Sequence, residues 1–287
     1  MRYISPLRYP GGKGRLAPYI TRLIAAQPKR PRSYAEPFAG GAGAALRLLV
    51  EEEVRSIHIN DLNPGIAAFW RCVFYDTESF AKKVKVEEVS VEAWRAARAI
   101  YMSPEGQSDL DLGFATFLLN RCNRSGILRA MPIGGLDQTG NWKIDARFNR
   151  QALSERIRFL GQYRRRVTVA QQDGREFIRS LSDDALVYVD PPYLVQGSSL
   201  YLNSLMPEDH AELATLLKDS QFPWLLTYDA NERVTGDLYK GLRIVEFDIA
   251  HTAQVQHVGS EYAVFGPHLV IPSLDVLGST NARWVVA

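Results

Sequence analysis

Val187-Tyr188-Val189-Asp190-Pro191-Pro192-Tyr193 joins a strand, a carboxylate, a rigid turn and an aromatic ring in one short stretch. Val187 to Val189 is short, apolar and β-prone, as a buried parallel strand should be. It runs into Asp190, and two prolines then forbid continuation of the ladder. A carboxylate at the C-terminal end of a central strand lies where open α/β sheets bind ligands. The prolines fix φ at successive positions and so hold the neighbouring carbonyls in place. Such a cluster suits a planar, amine-bearing ring, with acceptors for an NH2 group and a face to stack on. A strand end followed by a Pro-Pro turn accounts for the same residues, so other stretches have to decide.

The chain has 287 residues, enough for one large α/β domain and a smaller insertion. It is 46% hydrophobic and 23% charged, a soluble, globular composition. No apolar run approaches membrane-spanning length, and Met1-Arg-Tyr-Ile-Ser-Pro6 lacks the apolar stretch of a signal peptide. Cys72 and Cys122 stand alone, without Cys/His spacing, so neither a disulfide framework nor a metal site is expected. A cytoplasmic location is the default. Net charge is only +2, so a nucleic-acid partner has to be met by local clusters such as Arg164-Arg165-Arg166. A solvated turn explains that triplet equally well.

Near the N-terminus, Pro10, Gly11 and Gly12 break secondary structure before Lys13, and an amphipathic helix follows through Leu16, Ile20, Leu23 and Ile24. A glycine turn, a cation and a helix start suit a carboxylate or phosphate, although the glycine spacing is not that of a P-loop. Next, Ser33-Tyr-Ala-Glu36-Pro37-Phe38-Ala-Gly40-Gly41-Ala42-Gly43 reads as a strand entering a glycine-rich turn, and an apolar helix leaves it. This is the first βα unit of a nucleotide-binding fold. A second strand, Ile57 to Asp61, ends in a carboxylate ~20 residues after the glycines, where such folds hold ribose hydroxyls.

Tyr9-Pro-Gly-Gly12-Lys13, Glu36-Pro37-Phe38-Ala-Gly40, Asn60-Asp61 and Asp190-Pro191-Pro192-Tyr193 occur in the order and approximate spacing of the Dam-type (D12 class, alpha group) DNA adenine N6-methyltransferases. The chain resembles that family from about Leu7 to at least Leu226. The resemblance implies a Rossmann-like α/β methyltransferase sheet, formed by 1–62 and 165–287. An inserted, mainly helical DNA-recognition domain occupies 63–164. It also implies S-adenosylmethionine as cofactor, with Tyr9, Gly12, Lys13, Glu36, Pro37, Phe38, Gly40, Gly41, Asp61, Asp173 and Asp190 around it. The catalytic pocket would be Asp190, Pro191, Pro192 and Tyr193. Double-stranded DNA is the implied partner, and a cognate restriction endonuclease, as in restriction-modification systems, is a further candidate. The family commonly has a third glycine at the position of Ala42.

Between Leu62 and about Arg165 helical patterns with irregular links take over, among them Pro64 to Tyr75, Ala93 to Met102 and Phe114 to Asn120. After the last comes Asn120-Arg121-Cys-Asn-Arg124-Ser125-Gly126-Ile-Leu-Arg129, similar to the family's Asn-Arg…Asn-Gly…Arg stretch, with Ser125 in place of the second Asn. Arg121, Arg124 and Arg129, a Gly134-Gly135 loop and Asn141-Trp142-Lys143 suit phosphate contact and base-edge readout. On composition alone a solvated loop fits as well; the resemblance favours DNA. Arg129 is expected to read a base and Arg121 to touch the backbone.

Farther on, Val167 to Ala170, Trp224 to Tyr228 and Leu242 to Phe247 read as strands. Val195 to Ser204 reads as a loop over the site, and Pro207 starts a helix. Glu261 to Phe265, a Gly-Pro turn and His268 to Ile271 look like a terminal hairpin. The expected activity is site-specific transfer of a methyl group to N6 of a flipped adenine. Cytosine N4, RNA adenine or a glutamine amide as acceptor, and a non-catalytic DNA-binding protein of the same fold, are the alternatives. Intact Lys13, Asp61, Asp190 and Tyr193 argue against the last.

Overall fold

A computed structural model describes residues 4–8, 13–194, 205–251, 257–275, 277 and 282–286. The chain forms two units, one of Gly11–Asn60 with Gln172–Ala287 and one of Met1–Pro10 with Asp61–Gln171. The first opens with a 3-10 turn over Lys13–Leu16 and then α1 (Ala17–Ala26), β1 (Ser33–Glu36), α2 (Gly43–Val50) and β2 (Ser56–Asn60). The second unit holds α3 (Pro64–Tyr75), α4 (Thr77–Val86), α5 (Val91–Met102), α6 (Asp109–Cys122), α7 (Arg150–Gly161) and β3 (Val167–Ala170). The first unit resumes with α8 (Gly174–Arg179), β4 (Ala185–Val189), α9 (Pro207–Asp219), β5 (Trp224–Asp229), β6 (Arg243–His251), β7 (His257–Phe265) and β8 (Arg283–Val286).

Within the sheet unit the strand order is β2-β1-β4-β5-β7-β6-β8. β1 pairs in parallel with β2 and β4, and β4 with β5. All five residues of β4 are buried, which is why its sequence is an unbroken apolar run rather than an alternation. β7 then enters antiparallel between β5 and β6. The register sets Val189 beside Leu226 and Asp229 opposite Glu261. Tyr19, Ile20, Leu23 and Ile24 form the buried stripe of α1, as their spacing predicts.

The terminal hairpin differs from the expected one. β6 pairs with β7, while 268–271 form no strand. After Gly266-Pro267 the backbone is satisfied by side chains instead. Arg243 donates to the carbonyls of Gly266 and Leu269, and Gln27 both donates to the Val270 carbonyl and accepts from its N–H.

In the helical unit, Asn63, Ser90, Ser108 and Asn149 each cap a helix by accepting a backbone N–H. α3 and α6 approach closely because Gly113 has no Cβ; one built there would stand 3.0 Å from the backbone of Ala68 and Phe69. Phe69 stacks on Phe117 at 5.4 Å, and Phe80 and Phe148 extend this aromatic core. Residues 4–8 pack in this unit, not with the sheet as the 1–62 boundary expects. The reason is local: Asn120 accepts from Arg8 N–H (2.7 Å) and donates to its carbonyl (2.8 Å), and Arg156 donates to the Ser5 carbonyl. β3, too, groups here, so the unit extends beyond 63–164 at both ends.

Candidate active site and DNA-contacting loop

Asp190 follows the last residue of β4, where Pro191 has no N–H to continue the ladder. Thr227 of β5 is its neighbour across the parallel pair and donates to Asp190 Oδ1 at 2.8 Å. A hydroxyl has one proton, so the 2.7 Å contact between Tyr188 and Thr227 has the phenol as donor. A relay of Tyr188, Thr227 and Asp190 thereby fixes one carboxylate oxygen. The cation for this cluster comes from the 3-10 turn: Lys13 Nζ lies 3.3 Å from Asp190 and 2.6 Å from Glu261. Lys13 is only 7% exposed and Glu261 1%, while Asp190 keeps 24%. Tyr193 donates to Glu261 Oε1 at 2.6 Å, and Lys13 Nζ stands 5.7 Å from the centre of its ring.

One lysine is thus shared by two carboxylates. Burial alone would lower the Lys13 pKa, but Asp190 and Glu261 together raise it. Burial pushes Asp190 up to about 6; Lys13 opposes this and Glu261 adds to it. Asp190 is therefore ionised at neutral pH, yet it holds a proton more readily than an ordinary carboxylate. Lys13, read from the sequence as a cofactor cation, is engaged in this strand-end cluster.

The glycine turn has its own logic. Gly40 and Ala42 both have φ of 46°, the left-handed region, and Ala42 occupies the residue before α2. Gly43 serves close approach instead. A Cβ on it would stand 3.1 Å from the Gly14 nitrogen, so the two glycine-rich segments meet backbone to backbone. Glu36 is turned inward. Its Oε1 accepts from Tyr34 (3.0 Å) and from Ala45 N–H (2.9 Å), and burial pushes its carboxyl up to about 8. Phe38 lies over Gly174, where a Cβ would meet the ring at 2.4 Å. Asp173 caps α8 and is held in a bidentate pair by Arg175, which keeps its pKa low. Asn60 donates to the Pro37 and Gln172 carbonyls, tying the strand-end loops together. Asp61 accepts from Asn63 N–H beside the start of α3. Tyr9 and Gly12 lie outside the described residues.

In the other unit, two buried asparagines build the 120–129 loop. Asn120 also donates to the Gly126 carbonyl, and Asn123 donates to the carbonyls of Ile127 and Leu128 while accepting from Trp94 Nε1 at 2.6 Å. Ser125 and Gly126 both have positive φ, 56° and 77°. Arg124 and Arg129 are exposed and have no carboxylate within ion-pairing distance among the described residues. Arg124 lines a shallow concavity with Gly134, Thr139, Asn141 and Trp142, whose indole is 72% exposed. Arg121, expected on the DNA backbone, has its guanidinium donating to the carbonyls of Arg147 and Pro6. Burial, with Arg8 and Arg156 beside it, lowers its pKa.

The chain matches the model of the D12 class N6 adenine-specific DNA methyltransferases over residues 9–255. It belongs to that family. The protein is therefore an S-adenosylmethionine-dependent DNA adenine methyltransferase with a Rossmann-like sheet and a helical insertion. Among solved structures, the rRNA methyltransferase aviRa from Streptomyces viridochromogenes is 17% identical, with a TM-score of 0.38 over 94% of this chain and 88% of that one. No curated protein sequence matched. Among the described residues, no helix is long and apolar enough to cross a membrane. The strand-end cluster fits the cofactor: two carboxylates against one lysine leave negative charge that complements a sulfonium, beside a left-handed glycine turn.

Sequence reasoning missed Glu261, read only as the start of a strand, and Thr227. Glu261 carried a signal nonetheless, as a charged residue heading the otherwise apolar run Tyr262 to Phe265. Asn123 carried none, because its role depends on where Trp94 lies.

Proposed function

We propose that Asp190 and the Pro191 carbonyl accept the two N–H groups of a flipped adenine while Tyr193 stacks on the ring. The observation that carries this reading is the Asp190 carboxylate, fixed at a buried strand end by Thr227 and Lys13 yet still part-exposed. An adenine amino group is a poor nucleophile because its lone pair is delocalised into the ring. Two acceptors favour a pyramidal nitrogen whose lone pair points at the incoming carbon. When bound, S-adenosylmethionine supplies a methyl group already activated by its sulfonium. No covalent enzyme intermediate is required. After transfer the nitrogen is positively charged and acidic, and its surplus proton passes to Asp190, which is ionised above a pKa of about 6.

The remaining site roles belong to the same reading. Tyr9, Gly12, Glu36, Pro37, Phe38, Gly40, Gly41, Asp61 and Asp173 form or shape the cofactor side, Glu36 and Phe38 from beneath the turn. Arg124 and Arg129 contact double-stranded DNA, supported by their exposure without carboxylate partners among the described residues. The enzyme works in the cytoplasm, and a cognate restriction endonuclease is a candidate partner. The test is to methylate a random-sequence duplex library with the purified protein and S-adenosylmethionine, then to sequence it with detection of modified bases. N6-methyladenine confined to one short motif is expected. Methylation at cytosine N4, or of RNA only, would overturn the reading.

A further inference from the structure

We infer that Glu261 is the positioning residue of this active site, fixing the Tyr193 ring through its phenol and setting the charge balance at Asp190 through Lys13. The inference rests on the adenine-pocket reading for the meaning of those two residues, but its geometry stands by itself. Glu261 lies on β7, the strand that enters antiparallel beside β5, opposite Asp229. Oε1 accepts from Lys13 at 2.8 Å and from Tyr193 at 2.6 Å, and Oε2 accepts from Lys13 at 2.6 Å. At 1% exposure with both oxygens engaged, it has no access to substrate. Among the described residues, Lys13 and Tyr193 hydrogen-bond to it, and its effect passes through them.

Each partner transmits something different. A tyrosine ring after a Pro-Pro turn can rotate; a short bond from its hydroxyl to a buried carboxylate pins the plane on which a base would stack. Lys13, meanwhile, is drawn towards Glu261 and away from full pairing with Asp190, to which it is the longer contact by 0.7 Å (3.3 against 2.6 Å). The titratable groups acting on Asp190 are Lys13 and Glu261, with Glu36 and the phenols of Tyr34, Tyr188 and Tyr228 around them. Glu261 is the one anion among them that also holds the lysine. By competing for Lys13 it leaves Asp190 enough proton affinity to take up charge from the methylated nitrogen.

Two substitutions separate the two effects. Glu261→Gln keeps the shape and an acceptor for the phenol but removes the charge. Tyr193→Phe keeps every charge but removes the clamp. Glu261→Gln is expected to lower kcat ~10-fold or more and to move the acid limb of the kcat–pH profile to lower pH, because a like charge near Asp190 is gone. Tyr193→Phe is expected to lower kcat ~10- to 100-fold with the acid limb unmoved. An unmoved limb in Glu261→Gln overturns the charge role, and wild-type turnover in Tyr193→Phe overturns the clamp. Should Glu261→Gln fail to fold, Tyr193→Phe still decides the clamp, and Glu261→Asp, which keeps the charge but shortens the reach, must restore the wild-type limb if the charge role is right. Urea unfolding of both single variants and the double variant is independent of turnover, and non-additive losses are expected. If the wild type methylates no adenine, the functional reading fails; additive unfolding losses in that same protein would overturn this inference separately.

Discussion

At the end of β4 one lysine stands between two carboxylates, nearly all of it out of water, whereas Arg124 and Arg129 of the helical unit lie exposed without a carboxylate partner among the described residues. The first arrangement suits a small, fixed ligand. Its charges are held by short bonds and cannot reorganise, so an acceptor stands ready in a set direction. The second suits a polyanion. Its loop is shaped by neutral amides, Asn120 and Asn123, which leaves the guanidinium groups to the partner. The proposed function gives chemistry to the buried, paired charges and recognition to the open ones, and each substitution below tests one side of that division.

The largest effect is expected on the paired side. Asp190→Ala removes the acceptor to which Thr227, Lys13 and, through Thr227, Tyr188 are directed. Methyl transfer should fall by several orders of magnitude with the fold intact, as read by single-turnover kinetics and a melting curve. Turnover above about a tenth of wild type, a loss of less than ~1.4 kcal/mol, would show that Asp190 is not the amine acceptor.

On the open side, Arg129→Ala and Arg121→Ala should part company. The Arg129 backbone is tethered, since its carbonyl accepts from Arg98, while its side chain is exposed. A bidentate arginine–guanine pair discriminates by ~1–3 kcal/mol, so Arg129→Ala should relax one position of the target motif by roughly 5- to 150-fold. Arg121→Ala should instead leave the motif intact and lower thermal stability, because the Pro6 and Arg147 carbonyls lose their donor. Sequencing of a methylated random library with each variant, beside a melting curve, checks both. An unchanged motif in Arg129→Ala would move base reading to another residue of the loop or of the Trp142 concavity.

Much of this was legible from residues alone. Apolar runs and glycine turns placed β1, β2, β4 and β5, and Pro64 and Pro207 marked helix starts to the residue. Local pattern failed where the answer lay in a distant partner. The β6–β7 hairpin joins strands whose sequences do not announce each other, and Val270 is satisfied by Gln27, 243 positions away. The partners of Arg121 were hidden for the same reason, since an arginine after an apolar helix looks solvent-bound until the Arg147 carbonyl is placed against it. Glu261 reaches Lys13 and Tyr193 because β7 lies beside β5, a long-range fact. By contrast, Ala42 and Ser125 were visible as departures from the family pattern, and only the backbone reveals what they share.

A smaller effect concerns Glu36, the paired side's uncharged member. Its carboxyl, raised to about 8 by burial, is mainly protonated at neutral pH. The folded value lies above the unfolded one near ~4.3, so its favourable contribution is complete below ~4 and is lost as pH rises through about 8. Glu36→Gln keeps the neutral shape and the acceptor for Tyr34 and Ala45. Subtracting its urea-unfolding profile from that of the wild type should leave a decline of at most ~1.4 kcal/mol per pH unit across that window. A flat difference would mean that Glu36 is not held protonated.

The smallest effect returns to the open loop. Ser125 has φ 56° and ψ 6°, a left-handed conformation that costs an ordinary L-residue ~1–2 kcal/mol and that asparagine tolerates better than serine. The family's asparagine at this position is therefore explained by backbone geometry before any contact is invoked, as its glycine at the position of Ala42 is by a φ of 46°. Ser125→Asn should stabilise the protein by up to ~1 kcal/mol, a rise in Tm of roughly 2–4 °C, with the target motif unchanged. Gly126→Ala, one residue on, should do the opposite, because φ is 77° and a Cβ would press to 2.4 Å on the Arg8 carbonyl. Melting curves and library sequencing decide between backbone and readout. A gain in stability with the motif intact makes residue 125 part of the frame that presents Arg124 and Arg129, whereas a changed motif would make its side chain a reader of bases.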